Sequence, residues 1–259
     1  MDTTVGGRAP RSRTHPGLAA RSVEPEHAIL ISGASCDIGR AVALRFARAA
    51  YPVILTYWCK CEPVLTLAVE INRAGGRALA LPLDIRDRKA IAETFRRGCE
   101  AYGRIGVLVN NVGMAGRAVP LAGASPEDLE TVIDTNILGT VLMSAEAVRQ
   151  MSVSAGGVGG VIINISSVAT RSGSRIFHVP EATSCGAVEA LTKALSDEVA
   201  ADGIRVVSVA PCAAPSHARM RKNIPSSRAI EADDIAQAVF FLASDQARAI
   251  TGTTLTVSG

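Results

Sequence analysis

Between Ser32 and Arg40 the chain reads Ser-Gly-Ala-Ser-Cys-Asp-Ile-Gly-Arg, a glycine-bracketed turn placed after an apolar run and before a helical pattern. That layout brings a pyrophosphate against the backbone N–H groups of a helix N-terminus. Asp37 stands inside the turn, where a carboxylate about 4 Å from a phosphate would repel it by roughly 4 kcal/mol at an effective dielectric near 20. As the N-cap of a helix beginning at Ile38, the same carboxylate would fill the anion site itself. We read Asp37 as that cap, so dinucleotide binding is expected to be weak or absent. A second group of reactive side chains, His178, Glu181 and Cys185, lies between Ser166 and Thr192. Glu181 can serve as a general acid only if burial raises its pKa by several units. Cys185 offers neither a positive charge nor an ammonium's three donors. His178 could donate a proton, but it reads as an exposed loop histidine.

The elements that must position these groups alternate. Short runs rich in β-branched and other apolar residues, expected as strands, cover Ala28 to Ser32, Val53 to Tyr57, Ala78 to Leu83, Val107 to Asn110, Val161 to Ser166, Ile204 to Ala210 and Thr253 to Val257. Their near-continuous apolar character suits parallel strands covered on both faces. Helical patterns fall at Ile38 to Ala50, Pro63 to Ala74, Arg88 to Tyr102, Pro126 to Met151, Ser184 to Ala201 and Ala232 to Ser244. Ser125, Pro126 and Asp128 together make a helix start signal. Strict β–α alternation predicts a single-domain α/β fold, a Rossmann-type doubly wound parallel sheet with its ligand cleft beyond the strand carboxyl ends.

Several segments in order resemble the short-chain dehydrogenase/reductase family, in particular its 3-oxoacyl-acyl-carrier-protein reductase-like members. Gly33 and Gly39 match its Thr-Gly-x-x-x-Gly-x-Gly turn, with Asp37 at the middle glycine; the turn positions Gly33, Ser35, Ile38 and Gly39 are then cofactor contacts. Asp84 and Ile85 match the adenine contacts, and Asn110-Asn111-Val112-Gly113 is similar to the Asn-Asn-Ala-Gly signature, implicating Asn110 and Gly113. Asn136 occupies the place of the helix asparagine of the proton relay, and Ser167 that of the serine bonded to the substrate carbonyl. Aligning Ser184, Gly186, Ala187 and Val188 with Tyr-x-Ala-Ser-Lys-Ala-Ala-Val puts Glu181 at the tyrosine and Cys185 at the lysine. Pro211-Cys212-Ala213-Ala214-Pro215-Ser216 replaces Pro-Gly-x-x-x-Thr, which puts Ser216 at the carboxamide-binding threonine. The stretch from Ser216 to Pro225 leaves a short cover for the cleft.

The resemblance covers residues 28 to 259 and implies NAD(P)-dependent oxidoreduction of a small carbonyl or hydroxyl compound. The loss of tyrosine and lysine implies impaired catalysis. An active enzyme with relocated groups, using Asn136 and Ser167 with Glu181 or His178, stays open. So does a thiol or metal protein using Cys36, Cys185 and Cys212, although no metal ligand set is assigned. After the second strand Leu-Thr-Tyr-Trp-Cys-Lys-Cys carries no acid for a ribose hydroxyl, and Lys60 could favour NADP over NAD. The family also implies a homodimer or homotetramer, formed with itself or with related active subunits through the helices from Pro126 and from Ser184.

Composition narrows the remainder. The 259 residues carry a net charge of +3, and four arginines of the excess lie in the first 27 residues, so no nucleic-acid partner is implied. Residues 1 to 27 are rich in Gly, Pro, Ser and Arg without apolar periodicity and read as a disordered extension. With no membrane-length apolar run and no signal-peptide core, a cytoplasmic protein is expected. The six cysteines show no Cys-x-x-Cys pair and no regular spacing and are expected as free thiols.

Overall fold

A computed structural model describes residues 27–172, 179–212 and 230–258. The expected extension therefore falls outside the described residues except for His27, whose ring packs 5.4 Å from that of Tyr51. Seven parallel strands form one sheet in the order β3-β2-β1-β4-β5-β6-β7. They are β1 (Ala28–Ile31), β2 (Val53–Tyr57), β3 (Ala78–Pro82), β4 (Ile105–Asn110), β5 (Gly160–Ile165), β6 (Ile204–Pro211) and β7 (Thr254–Val257). Strand order reverses between β1 and β4, which opens a crevice at their carboxyl ends.

Alternation along the strands feeds two cores. Ile29 and Ile31 of β1 face the layer formed by α1 (Asp37–Arg48), α2 (Cys61–Arg73) and α8 (Ala232–Ala243), where Phe46, Leu67 and Val239 are buried. Ala28 and Leu30 face the opposite layer, built on α3 (Arg88–Tyr102) and α5 (Thr140–Met151), with Phe95 and Met143 inside. Both faces are thus covered, which is why the strands read as unbroken apolar runs. Among the described residues no helix is long and apolar enough to cross a membrane.

Two predicted helices differ from expectation. The stretch from Pro126 to Met151 is not one helix: α4 (Pro126–Ile133) passes through a π-helical stretch, Asp134–Gly139, before α5. The start signal holds, since Ser125 Oγ accepts from the Asp128 N–H at 3.2 Å. The widened stretch is pinned by Asn136, whose side chain bonds the backbone of Met114 outside the helix. The helix expected from Ser184 begins earlier, as α7 (Val179–Glu198), with Pro180 in a first turn that has no use for its missing N–H. Glu181 therefore sits on the helix, one turn before Cys185. A one-turn helix, α6 (Ala169–Ser172), precedes it.

Candidate active site

The glycine turn is laced to the end of β4. Ser32 Oγ accepts from the N–H groups of Asn111 and Val112 at 3.0 and 3.3 Å, and Asn111 Nδ2 donates to the carbonyls of Ser32 and Gly33 at 3.2 and 2.9 Å. Gly33 has φ +66°, and a Cβ there would lie 2.9 Å from Val112 Cγ2. At Gly39 a Cβ would meet the Gly33 carbonyl at 2.7 Å, so the glycine is what lets α1 approach the turn.

The expected cap is corrected. Cys36, not Asp37, is the N-cap of α1: its backbone is extended, and Sγ accepts from the Gly39 N–H at 3.5 Å and from Asn111 Nδ2 at 3.3 Å. Asp37 is already inside the first helical turn, exposed, where it meets the positive helix end as a charge and not as a cap.

Beyond the turn lies a cleft of about 720 Å³. Among the predicted cofactor residues Gly33, Ser35, Asp84, Ile85 and Gly113 line it, together with Cys36, Trp58, Lys60, Arg86 and Asn111. Ile38 and Gly39 support the turn from behind. Asn110 points into the sheet, donating to Ser144 Oγ at 3.1 Å and Asn164 Oδ1 at 2.9 Å, so it braces β4 against β5 and α5 while its neighbour Asn111 lines the cleft. Asp84 is held by Arg86 through Nε at 2.9 Å and Nη2 at 2.7 Å, and this pairing lowers the Asp84 pKa and raises that of Arg86.

The second half of the site gathers on α7. Asn136 Nδ2 donates to the Met114 carbonyl and to Ser184 Oγ, each at 2.8 Å, and Ser184 Oγ donates to the Glu181 carbonyl at 2.8 Å. The asparagine matched to the family's proton relay thus ties the Met114 loop directly to the helix carrying Glu181 and Cys185. Ser167 Oγ accepts from the Ala169 N–H at 3.2 Å, shaping the turn into α6. Ser166 Oγ and Thr170 Oγ1 both donate to Glu189 Oε1 at 3.1 Å. Burial first, then the carboxylates of Glu181 and Glu189, push the Cys185 thiol from the ordinary 9.0 up to about 11. At neutral pH it is an uncharged thiol in an acidic setting.

His178 and Ser216 lie outside the described residues. Cys36, Cys185 and Cys212 are all free thiols, and among the described residues no three His, Cys, Asp or Glu side chains are grouped to hold a metal ion. Arg86, Trp58 and Glu189 were not singled out by sequence reasoning. Arg86 stands two residues after Asp84 and Glu189 one helical turn after Cys185, spacings that could have found them.

A family model described as enoyl-(acyl carrier protein) reductase matches residues 33–259. An uncharacterized oxidoreductase of Escherichia coli, YgfF, is 36% identical over 241 residues, covering 89% of this chain and 98% of its own length. The 3-oxoacyl-(acyl-carrier-protein) reductase FabG of Staphylococcus aureus is 33% identical over 240 residues, covering 89% and 96%. A crystal structure of a short-chain dehydrogenase from Burkholderia cenocepacia in complex with NADP superposes with a TM-score of 0.84 at 27% identity, over 91% of this chain and 98% of that one. The β3-β2-β1-β4-β5-β6-β7 sheet, the glycine turn and these matches lead to one assignment: the chain belongs to the short-chain dehydrogenase/reductase family.

Proposed function

We propose that this protein is a nicotinamide-dinucleotide-binding oxidoreductase homologue that has lost the family's proton-transfer pair and turns over carbonyl substrates poorly or not at all. The carrying observation is the α7 surface, where Glu181 and an uncharged Cys185 thiol stand beside Glu189. Reduction of a carbonyl needs a positioned proton donor, and a neighbouring cation makes that donor more acidic. Cys185 holds its proton too tightly for the first task and has no charge for the second.

The adenosine end of the cleft fits a dinucleotide. Gly33 and Gly39 leave a cradle that a Cβ would fill, and Ser35, Ile85 and Gly113 line the adjoining space. NADP(H), when bound, would supply or accept the hydride. Gly33, Ser35 and Asn111 would hold it, and Asn136, through Ser184, fixes the register of α7 against the Met114 loop. The exposed Asp37 carboxylate in the first turn of α1 opposes a pyrophosphate, which supports weaker binding than a glycine there would give. The helices through which the family resemblance implies subunit contact, from Pro126 to Met151 and from Ser184, correspond to the run from α4 to α5 and to α7, and we include self-assembly, or assembly with active relatives, in this reading.

The test is a titration of the purified chain with NADPH, followed by turnover with simple ketones and ketoacyl thioesters. Dinucleotide binding with turnover at least about a hundredfold below an ordinary reductase is expected, given the usual contribution of positioned acid–base groups. Turnover of roughly 1 per second or more would refute the loss of the proton-transfer pair.

A further inference from the structure

Three of the six thiols, Cys36, Cys59 and Cys61, are exposed, and the first two line the same cleft from neighbouring loops. Cys99, Cys185 and Cys212 are partly covered, and burial raises the pKa of Cys99 and of Cys185. The backbones that carry the cleft pair run side by side: the Ala34 N–H donates to the Thr56 carbonyl at 3.1 Å, two residues before Cys36 and three before Cys59. Two N–H donors converge on Cys36 Sγ at the start of the 12-residue α1, from Gly39 at 3.5 Å and from Asn111 at 3.3 Å. Arg86 lies within electrostatic reach of Cys59. Negative charge developing on either sulfur as it attacks therefore meets hydrogen-bond donors or a cation, the setting in which exposed thiols react.

We infer that Cys36 and Cys59 form a thiol-modification site that takes a low-molecular-weight disulfide, and that the adduct closes the cleft to other occupants. The closure rests on the dinucleotide-binding reading above; the modification itself does not. The Cys36 thiol gives its proton to water and attacks one sulfur of the reagent. A new S–S bond forms to Sγ, the reagent's own S–S bond breaks, and the departing half leaves as a thiolate that takes up a proton. The cysteine is oxidised, half of the reagent is reduced, and a small thiol runs the exchange backwards. Cys59 reacts in the same way. The turn survives modification at Cys36, because a disulfide sulfur keeps the lone pairs that accept from Gly39 and Asn111 and loses only the weak donation from Sγ to the Gly33 carbonyl at 3.6 Å. An attached tripeptide is then anchored to the wall of a cleft of about 720 Å³. Clefts of roughly 300 to 1,000 Å³ hold one ligand of ordinary size, so the adduct and a second ligand compete for the same space.

The probe is oxidised glutathione applied to the folded chain near neutral pH, with every cysteine followed by peptide mass mapping. Cys36 and Cys59 are expected to be modified at least about tenfold faster than Cys99, Cys185 and Cys212. Cys61, exposed but outside the cleft lining, is the internal control. Saturating NADPH should slow Cys36 and Cys59 by about tenfold and leave Cys61 alone. Trp58, the single tryptophan, lines the cleft, so its fluorescence reads occupancy without turnover. Treatment should weaken NADPH binding to the wild type at least about tenfold, and dithiothreitol should restore it. The double variant Cys36→Ser with Cys59→Ser, in which serine remains a good helix cap, should bind NADPH equally before and after treatment, whereas Cys61→Ser should stay sensitive. The mapping on the wild type needs no variant, so the test survives a double variant that does not fold. Modification of Cys36 and Cys59 no faster than that of the covered thiols overturns the inference, as does unchanged NADPH affinity once both are modified. Fast modification of the pair in a chain that binds no NADPH would keep the modification site and remove the dinucleotide reading.

Discussion

If the proposed loss of the proton-transfer pair holds, placing tyrosine and lysine at positions 181 and 185 of α7 should raise turnover well above that of the wild type. Glu181→Tyr supplies a phenol one helical turn before position 185, and Cys185→Lys supplies the ammonium meant to acidify it. The site accepts that cation for reasons already visible in the thiol. Burial and two carboxylates hold the Cys185 proton on up to about pH 11, and Glu189, the carboxylate that remains in the double variant, favours a positive charge. Glu189 is one turn away on the same face, about 5 to 6 Å by helix geometry, so its attraction for the introduced ammonium is about 3 kcal/mol at an effective dielectric near 20. That offsets much of the desolvation of a half-buried lysine. Glu189 also accepts from Ser166 and Thr170, which keeps its carboxylate in place. The double variant should therefore fold, and its NADPH-dependent reduction of a ketoacyl thioester, followed by NADPH absorbance, should exceed wild type by about 10²- to 10⁴-fold. Cys185→Lys alone should gain less than about tenfold, because Glu181 is a poor substitute donor. A double variant that melts like the wild type, binds NADPH and shows no gain would refute the assignment of the defect to these two residues.

Three other outcomes follow from the same geometry. Asp37→Gly should tighten NADPH binding by about tenfold, near 1.4 kcal/mol, while lowering stability by less than about 1 kcal/mol, since Cys36 keeps the cap; unchanged affinity by fluorescence titration would mean the carboxylate does not face the phosphates. Between pH 9.0 and about 11 the unfolded Cys185 thiol ionises while the folded one keeps its proton, so the stability present below pH 9.0 is lost as pH rises through this window. The loss should be about 1 to 2 kcal/mol after allowing for the group's partial exposure, and urea unfolding of wild type and Cys185→Ala near neutral pH and near the top of the window should show the variant losing less. Ile133, Leu138 and Val141 leave an exposed apolar strip along α4, the π-helical stretch and α5. Light scattering should give a dimer or tetramer, and a monodisperse monomer at micromolar concentration would remove the assembly reading.

The elements that sequence reasoning placed well are those governed by local rules. Continuous apolar runs such as Ala-Ile-Leu-Ile mark strands covered on both faces, and Ser125-Pro126 marks a helix start through groups only three residues apart. What it missed depends on contacts across the chain. Nothing local distinguishes Asp37 from Cys36 as the cap: aspartate has the stronger general preference, and only the path of the turn, tied by Asn111 more than 70 residues away, puts Cys36 at the extended position. The π-helical stretch is equally non-local, since its cause is the bond from Asn136 to Met114. Arg86 lay in plain view beside Asp84, but its part in the cleft depends on the β2–α2 loop coming close, which sheet order decides.

The two halves of the site tolerate substitution to different degrees, and the structure gives a physical reason. The glycine turn, β1, β4 and Asn111 are joined by a dense set of hydrogen bonds, and Gly33 and Gly39 have no room for a side chain. Substitution there would disturb the carboxyl ends of the central strands β1 and β4, so the cradle persists whether or not a dinucleotide is used. Position 37 fits the same rule: its side chain is exposed and outside that set of bonds, so a charge is tolerated there. Glu181 and Cys185 occupy the partly exposed side of α7, while the residue that fastens the helix to its surroundings is the buried Ser184 between them, bonded to Asn136. Side chains at these two positions therefore bear on chemistry more than on packing, and substitution there leaves the fold intact. A preserved cradle is therefore weak evidence of cofactor use in this chain. Lys60 and Arg86 bear on it more directly, because neither is required by the packing of the turn and both line the cleft.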